Sequence, residues 1–137
     1  MFTLSAKGIY GLSALIELGL NYAKGSMQIR DIAERHKIPQ HYLEQILVIL
    51  KKSGYVESYR GAQGGYALSR DPDSISVLDV LGRLEGKLRV VAEDKRQSVL
   101  GFFWDDIERA LQSKLDRTLG DLIREKAGRD QQTNYII

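Results

Sequence analysis

Arg60-Gly61-Ala62-Gln63-Gly64-Gly65-Tyr66-Ala67-Leu68 is the stretch on which the fold turns. It is a short glycine-rich loop carrying one cation, and it follows directly after an amphipathic helical pattern. Tyr55, Val56 and Tyr59 before the loop and Tyr66 and Leu68 after it have strand-preferring side chains, while Gly64 and Gly65 are able to take the positive φ of a tight hairpin. The pattern predicts two short paired strands with a small tip that fits a narrow groove. Arg60 then stands at the base, where a fixed cation meets phosphates or the negative potential of a minor groove. Glycine hairpins are common and mostly structural, so the elements around this one decide its meaning.

Working backwards, Ser5 suits the N-cap of a first helix running to about Tyr22, with Leu12, Leu15, Ile16, Leu18 and Leu20 as its apolar stripe and Gly25 as its stop. A second helix is expected from Gln28 to His36, with Ile29, Ile32 and Ala33 facing inward. A third starts near Pro39, runs to Lys52 and buries Leu43, Ile46, Leu47 and Leu50, with Gly54 ending it. Two short helices joined by a turn of about four residues, the second followed by a hairpin, make a helix-turn-helix with a wing. The opening turns of the third helix present Gln40, His41, Tyr42, Glu44 and Gln45, groups that read base edges and bind phosphates, where an inert helix usually carries Lys/Glu pairs.

Working forwards, Asp71-Pro72-Asp73 separates the wing from a helix over Ser76–Glu85, with Val77, Val80, Leu81 and Leu84 inward and Gly86 as its stop. Residues 87–97 are polar apart from Val90, Val91 and Ala92, and are expected to form an exposed connecting loop. A long helix capped by Ser98 follows to about Asp116, with Leu100, Phe103, Trp104, Ile107, Leu111 and Leu115 along one side. That stripe lies outside the N-terminal domain and is read as a dimerisation face; the alternative is that it packs on its own domain. Thr118 with Asp121 fits the capping box of one more helix, ending at Gly128. The expected organisation is a mainly α chain with a small β wing: a winged helix-turn-helix over 1–86, a loop over 87–97, dimerisation helices over 98–128 and a loose tail over 129–137.

Composition narrows the function. With 137 residues and 43% hydrophobic content, the chain has room for one real core and an appended element. Residues 1–70 hold nine Lys/Arg against five Asp/Glu, a balance of +4, whereas residues 71–137 hold eleven against thirteen, a balance of −2. The excess cation lies with the wing, as a nucleic-acid-facing half requires. There are no cysteines, which removes disulfides, thiolate metal sites and redox-active thiols. No signal-peptide pattern and no membrane-length apolar run is visible, so a cytoplasmic protein without a membrane partner is expected.

Lys7-Gly8-Ile9-Tyr10-Gly11, Ile32-Ala33, His41-Tyr42-Leu43-Glu44-Gln45, Gly54-Tyr55-Val56 and the Arg60–Tyr66 loop together resemble a family of bacterial winged-helix regulators whose best-known members are the iron-sulfur cluster regulator IscR and the cysteine-metabolism repressor CymR. The resemblance covers nearly the whole chain, and its most specific parts are Tyr42-Leu43-Glu44-Gln45 and Arg60-Gly61 with Gly64-Gly65-Tyr66. It implies a homodimeric DNA-binding repressor or activator. Tyr42, Glu44 and Gln45 would then lie in the major groove and Arg60 in the adjacent minor groove. Lys7 and Tyr10 would reach phosphates, and Gln28, Gln40, His41, Gly61, Gln63 and Gly64 complete the expected DNA-facing set.

One departure from the family matters most. Its cluster-binding members carry three cysteines in the loop that corresponds to residues 87–97, and here there are none, so a thiolate-held cluster has no ligands and neither metal nor cofactor is expected. The resemblance is therefore nearer to the cysteine-metabolism repressor, whose subgroup is signalled by a partner enzyme, O-acetylserine sulfhydrylase. Serine acetyltransferase docks on that enzyme through a C-terminal isoleucine, and this sequence reads Tyr135-Ile136-Ile137 at its end. That segment is expected either to engage such a partner or to fold back on the dimer core. An enzyme is not expected: no nucleophile or acid–base set is present, and Gly61–Gly65 lacks the Lys-Ser/Thr and following helix of a phosphate loop. Two alternatives stay open, a family regulator that senses iron-sulfur, redox or another stress without cysteine, and a winged helix that binds only proteins.

Overall fold

Leu43, Ile46, Leu47 and Leu50 are spaced so that one side of a helix is wholly apolar, and all four are buried in the helix Gln40–Lys52 (α3). The computed structural model describes residues 3–136, with side chains from 3 to 132. Around α3 are packed Ala6–Leu20 (α1), Ile29–His36 (α2) and Val77–Glu85 (α4). Their apolar faces meet in a single core in which Ala14, Leu15, Leu18, Ile32 and Val80 close on the α3 stripe. Lys37 takes a left-handed conformation with φ +54° and turns the chain from α2 into α3. Glu17 of α1 pairs with Arg35 at 3.1 Å and stands at ion-pair distance from His36 Nε2, 3.2 Å, without hydrogen-bond alignment; this ties α1 to the end of α2.

Val56–Tyr59 (β1) and Gly65–Leu68 (β2) form the expected antiparallel hairpin, with Val56 opposite Leu68 and Tyr59 opposite Gly65. Tyr55 is buried just before β1 and belongs to the core. A 3-10 turn, Pro72–Ser74, leads to α4, whose N-cap Ser76 accepts from the Asp79 N–H at 3.2 Å. The polypeptide then continues as Gly101–Leu115 (α5) and Leu119–Ile136 (α6).

Four boundaries differ from the sequence expectation. α1 ends at Leu20, and the chain leaves it through Ala23 at φ +64° before Gly25. Pro39 is the N-cap of α3 and not its first helical residue. α5 begins at Gly101, because Ser98 enters a turn in which its carbonyl accepts the Gly101 N–H at 3.0 Å. The segment expected as a loose tail from Arg129 is helical as far as Ile136: Gly128 keeps a negative φ, and Glu125–Arg129 and Lys126–Asp130 pairs one turn apart carry the helix across it. Ile137 lies outside the described residues, and so do the side chains of Tyr135 and Ile136.

The last two helices also join the first domain more closely than an appended element would. Val77 N–H donates to the Arg117 carbonyl at 2.8 Å and Leu119 N–H to the Ile75 carbonyl at 2.9 Å, so the α5–α6 junction is stitched to the start of α4. Leu119 is fully buried in the common core, and Ile123 packs against it. Thr118 and Asp121 make the reciprocal capping box, each backbone N–H donating to the other's side chain at 3.0 Å. The Thr118 N–H, then the Arg124 guanidinium and the Thr118 side chain, hold the Asp121 carboxyl below its usual range.

α5 leaves much of its apolar stripe uncovered. Leu100, Phe103 and Leu111 are exposed, while Trp104, Ile107 and Leu115 are half-buried. Phe102, outside the expected stripe, is 70% exposed, and Val99 is 90% exposed.

Residues 87–97 are irregular, with one 3-10 turn at Glu93–Lys95, but they are not a free loop. Glu108 of α5, 8% exposed and the one buried charged residue among those described, accepts from Val90 N–H at 2.9 Å and from Arg96 Nη1 and Nη2 at 3.1 and 2.9 Å. Arg96 also donates to Asp105 at 3.0 Å. The Arg96 guanidinium, then the Val90 N–H, hold the Glu108 carboxyl below its ordinary range despite burial. A folded-state pKa below the unfolded one means that the clasp stabilises fully above the ordinary carboxylate value of about 4.5, and its contribution is lost as pH falls through the lowered value. Glu108→Gln should therefore lower the urea midpoint and speed Val90 amide exchange at neutral pH. The gap in midpoint between wild type and variant should narrow as pH falls past about 4.5 and close below the lowered folded-state value, and a gap that does not narrow with falling pH would remove the charged clasp as its cause.

Candidate nucleic-acid interface

Burial of the α3 stripe dictates what the opposite side presents. Gln40, His41, Glu44, Gln45 and Val48 are exposed, at the i, i+3, i+4, i+7 spacing that makes one continuous face from His41 to Val48. His41 Nε2 and Gln45 Nε2 are 3.3 Å apart, one turn from each other, so the Gln45 amide donates to the ring when the imidazole carries its proton on Nδ1. Tyr42 lies off this face. It is half-buried, and its ring meets Tyr10 of α1 edge to face at 5.9 Å and 84°.

The hairpin stands beside that face. Of the two glycines expected to adopt positive φ, only Gly65 does so, at +144°; the other such position is Gly61, at +97°. Gly64 is needed for room instead, because a Cβ there would lie 2.5 Å from the Tyr59 carbonyl. Gly65 is constrained twice, since a Cβ would also come within 2.1 Å of the Met27 carbonyl. This closeness permits a two-bond bridge in which Met27 N–H donates to Tyr66 O at 2.8 Å and Tyr66 N–H to Met27 O at 2.7 Å. Ser26 Oγ donates to Gln63 O at 2.7 Å and holds the tip. Lys51 Nζ donates to Ser58 Oγ at 2.6 Å, so the wing is anchored to α3 as well as to the entry of α2. Arg60 and Gln63 project from it, exposed.

α1 is held by an unusual cap. Ser5 makes no side-chain cap to its own helix. Glu85, at the end of α4, supplies the acceptor: its Oε1 takes Ser5 N–H at 3.0 Å, Ser5 Oγ–H at 2.6 Å and Gly8 N–H at 3.0 Å. The carboxylate thereby sets the end of α1 that carries Lys7 and Tyr10.

Ion pairing divides the molecule sharply. Among the described residues, Arg35 is the single Lys or Arg of 1–70 held in an ion pair, which leaves Lys7, Lys24, Arg30, Lys37, Lys51, Lys52, Arg60 and Arg70 without a carboxylate partner. In the second half Arg89, Arg96, Arg109, Arg117, Arg124 and Lys126 are all paired. The cation excess near the wing is thus available to an outside anion, whereas the cations of the C-terminal helices are largely neutralised within the fold.

One open groove brings Gln28, Gln40, Gly61 and Gly64 together with Arg30, and a second lies between Lys24, Arg30 and wing residues Ala62–Gly64. Lys24, Ser26 and Arg30 escaped the sequence reading. The charge count included Lys24 and Arg30, but only the Met27–Tyr66 bridge brings the α2 entry against the wing. No helix of the described residues is long and apolar enough to cross a membrane.

Known proteins share this arrangement. Residues 4–125 match the model of the Rrf2 family, described as an iron-dependent transcriptional regulator. The HTH-type transcriptional regulator CymR of Bacillus subtilis is 36% identical over 137 residues, which cover 98% of this chain and 99% of CymR. Its solved structure superposes with a TM-score of 0.77 at 36% identity, covering 91% of this chain and 98% of that one. The HTH-type regulator IscR of Klebsiella pneumoniae strain 342 is 35% identical over 130 residues, 88% of this chain and 78% of IscR.

Iron does not suit the residues present. No cysteine exists, the described residues contain no group of three His, Cys, Asp or Glu able to hold a metal ion, and Glu93, Asp94 and Glu108 around the 87–97 loop already face Arg89, Lys95 and Arg96. Family match, full-length likeness and fold nevertheless agree, and the chain belongs to the Rrf2 family of transcriptional regulators.

Proposed function

We propose that this regulator binds duplex DNA as a homodimer, laying α3 of each protomer into a major groove with the wings in the flanking minor grooves. The observation that carries the reading is the exposed Gln40, His41, Glu44, Gln45 face beside a wing whose Arg60 meets no carboxylate among the described residues. Gln bonds adenine bidentately and Glu accepts from cytosine N4, so Glu44 and Gln45 are assigned to base edges. Arg60, with Gly61, Gln63 and Gly64 letting the backbone approach, is assigned to the minor groove, and Lys7 and Gln28 to phosphates. Tyr10 and Tyr42 act through their ring contact, which holds the start of α1 against α3. On a near-palindromic site Arg60→Ala should weaken binding by about 1–3 kcal/mol, while Glu44→Ala relaxes the preference at one base pair and leaves overall affinity largely intact. Anisotropy titrations on single-base variants measure both, and wild-type binding by both variants would refute the assignments.

The second copy is placed on α5. Leu100, Phe103 and Leu111 expose an apolar face that water disfavours, and a two-fold partner presenting the same face covers it. Trp104, half-buried, meets the Phe103 ring at 5.0 Å with a 52° tilt and adjoins that surface. Trp104→Ala and Phe103→Asp should each shift the sedimentation equilibrium toward monomer; a dimer unchanged in both would move the interface elsewhere.

The regulated process is inferred to be sulfur and cysteine metabolism, most simply by repression in the cytoplasm. Support comes from the likeness to CymR along its whole length, a protein described as the global cysteine regulator of B. subtilis. Genomic footprinting should place the bound sites at sulfur-assimilation promoters, and sites confined to iron or nitrosative-stress genes would favour the other branch of the family. Control by an O-acetylserine sulfhydrylase engaging Tyr135–Ile137 belongs to the same reading. Deleting Ile137 should then abolish co-sedimentation with that enzyme and leave operator binding unchanged.

A further inference from the structure

Lys24 and Arg30 are two cations that neither the reading helix nor the hairpin accounts for. Arg30 lies in the first turn of α2 and Lys24 in the turn that precedes it. With Gln28 and wing residues Ala62, Gln63 and Gly64 they line one cleft, and Arg30 also lines the adjoining groove with Gln40, Gly61 and Gly64. It therefore links the N-terminal end of α3 to the outer side of the wing. Both residues are exposed, and neither meets a carboxylate among the described residues. Arg30 Nη2 donates to the neutral Gln28 Oε1, at 3.3 Å. Asp31 lies on the same cleft as the one acid, so the lining keeps a positive balance.

We infer that Lys24 and Arg30 form a second phosphate-binding strip, which follows the duplex backbone from the mouth of the reading groove past the wing. This rests on the DNA-binding reading above and deepens it. A wing seated in a minor groove brings the flanking phosphates across its base, where the Ser26 and Met27 hydrogen bonds hold the α2 entry rigidly against the tip. The chemistry required of the ligand is an extended polyanion. One isolated anion would satisfy one cation, whereas a sugar-phosphate chain satisfies both and displaces the counterions they hold. Such contacts position the protein and carry no base information.

The test separates charge from sequence readout. Wild-type protein first selects sites from a random-sequence duplex library, and one selected duplex is then titrated by anisotropy from about 50 to 300 mM KCl. Each phosphate contact contributes about 0.9 to the slope of log Kd against log salt, so Lys24→Gln and Arg30→Gln should each flatten the slope by about one and the double variant by about two. Arg30→Lys should keep the wild-type slope, and repeat selection with the double variant should return the wild-type site. A double variant with an unchanged slope overturns the strip while leaving the DNA-binding reading intact. If wild type selects no duplex at all, that reading fails and the strip falls with it.

Discussion

The whole arrangement depends on one constraint, the burial of Leu43, Ile46, Leu47 and Leu50 on a single side of α3. Because a helix advances 100° per residue, sealing that stripe against α1, α2 and α4 leaves His41, Glu44, Gln45 and Val48 no orientation except outward. Removing a buried leucine of this kind costs about 2–5 kcal/mol, a large part of a small domain's stability. The reading face is thus held by apolar packing on its back, and needs no polar contact of its own to stay in place.

A second level of order comes from backbone groups. The wing is only two strands of four residues, too short to be stable alone. It is fixed by the Met27–Tyr66 bridge and by Ser26 at its tip, both from the entry of α2, and by Lys51 of α3 at its root. Glycine at position 65 is what allows the bridge, since any side chain would collide with the Met27 carbonyl. Wing, α2 entry and reading helix are consequently tied into one unit, and among the described residues eight Lys and Arg of positions 1–70 have no carboxylate partner.

Two carboxylates make long-range ties elsewhere in the fold. Glu85 closes the amide end of α1 from α4, and Glu108 closes the 87–97 loop from α5 through Arg96 and Val90. Where other members of the family place cysteines in that loop, this chain uses an ion pair of hard groups. The ties between Ile75–Val77 and residues 117–119 pass α5 and α6 into the same core.

Much of this was legible in the residues. Helical periodicity identified α1 to α6, the glycine-rich hairpin identified the wing, and Thr118 with Asp121 announced the last helix, because those signals are local: each depends on contacts within a few residues. Ends governed by weak local preferences were misjudged, as at Gly128, where flanking ion pairs outweigh the helix-breaking tendency of one glycine. Tyr42 was legible as a residue of the reading helix, but its turn toward Tyr10 was not. Long-range pairing alone decided the rest: Glu85 reaching 80 positions back to Ser5, Glu108 gathering Val90 and Arg96, and Met27 meeting Tyr66 to bring Lys24 and Arg30 beside the wing. Sequence determines which groups exist and which local element each occupies, but contact between distant elements is set by how their apolar faces close on one another, and that is a property of the packed chain only.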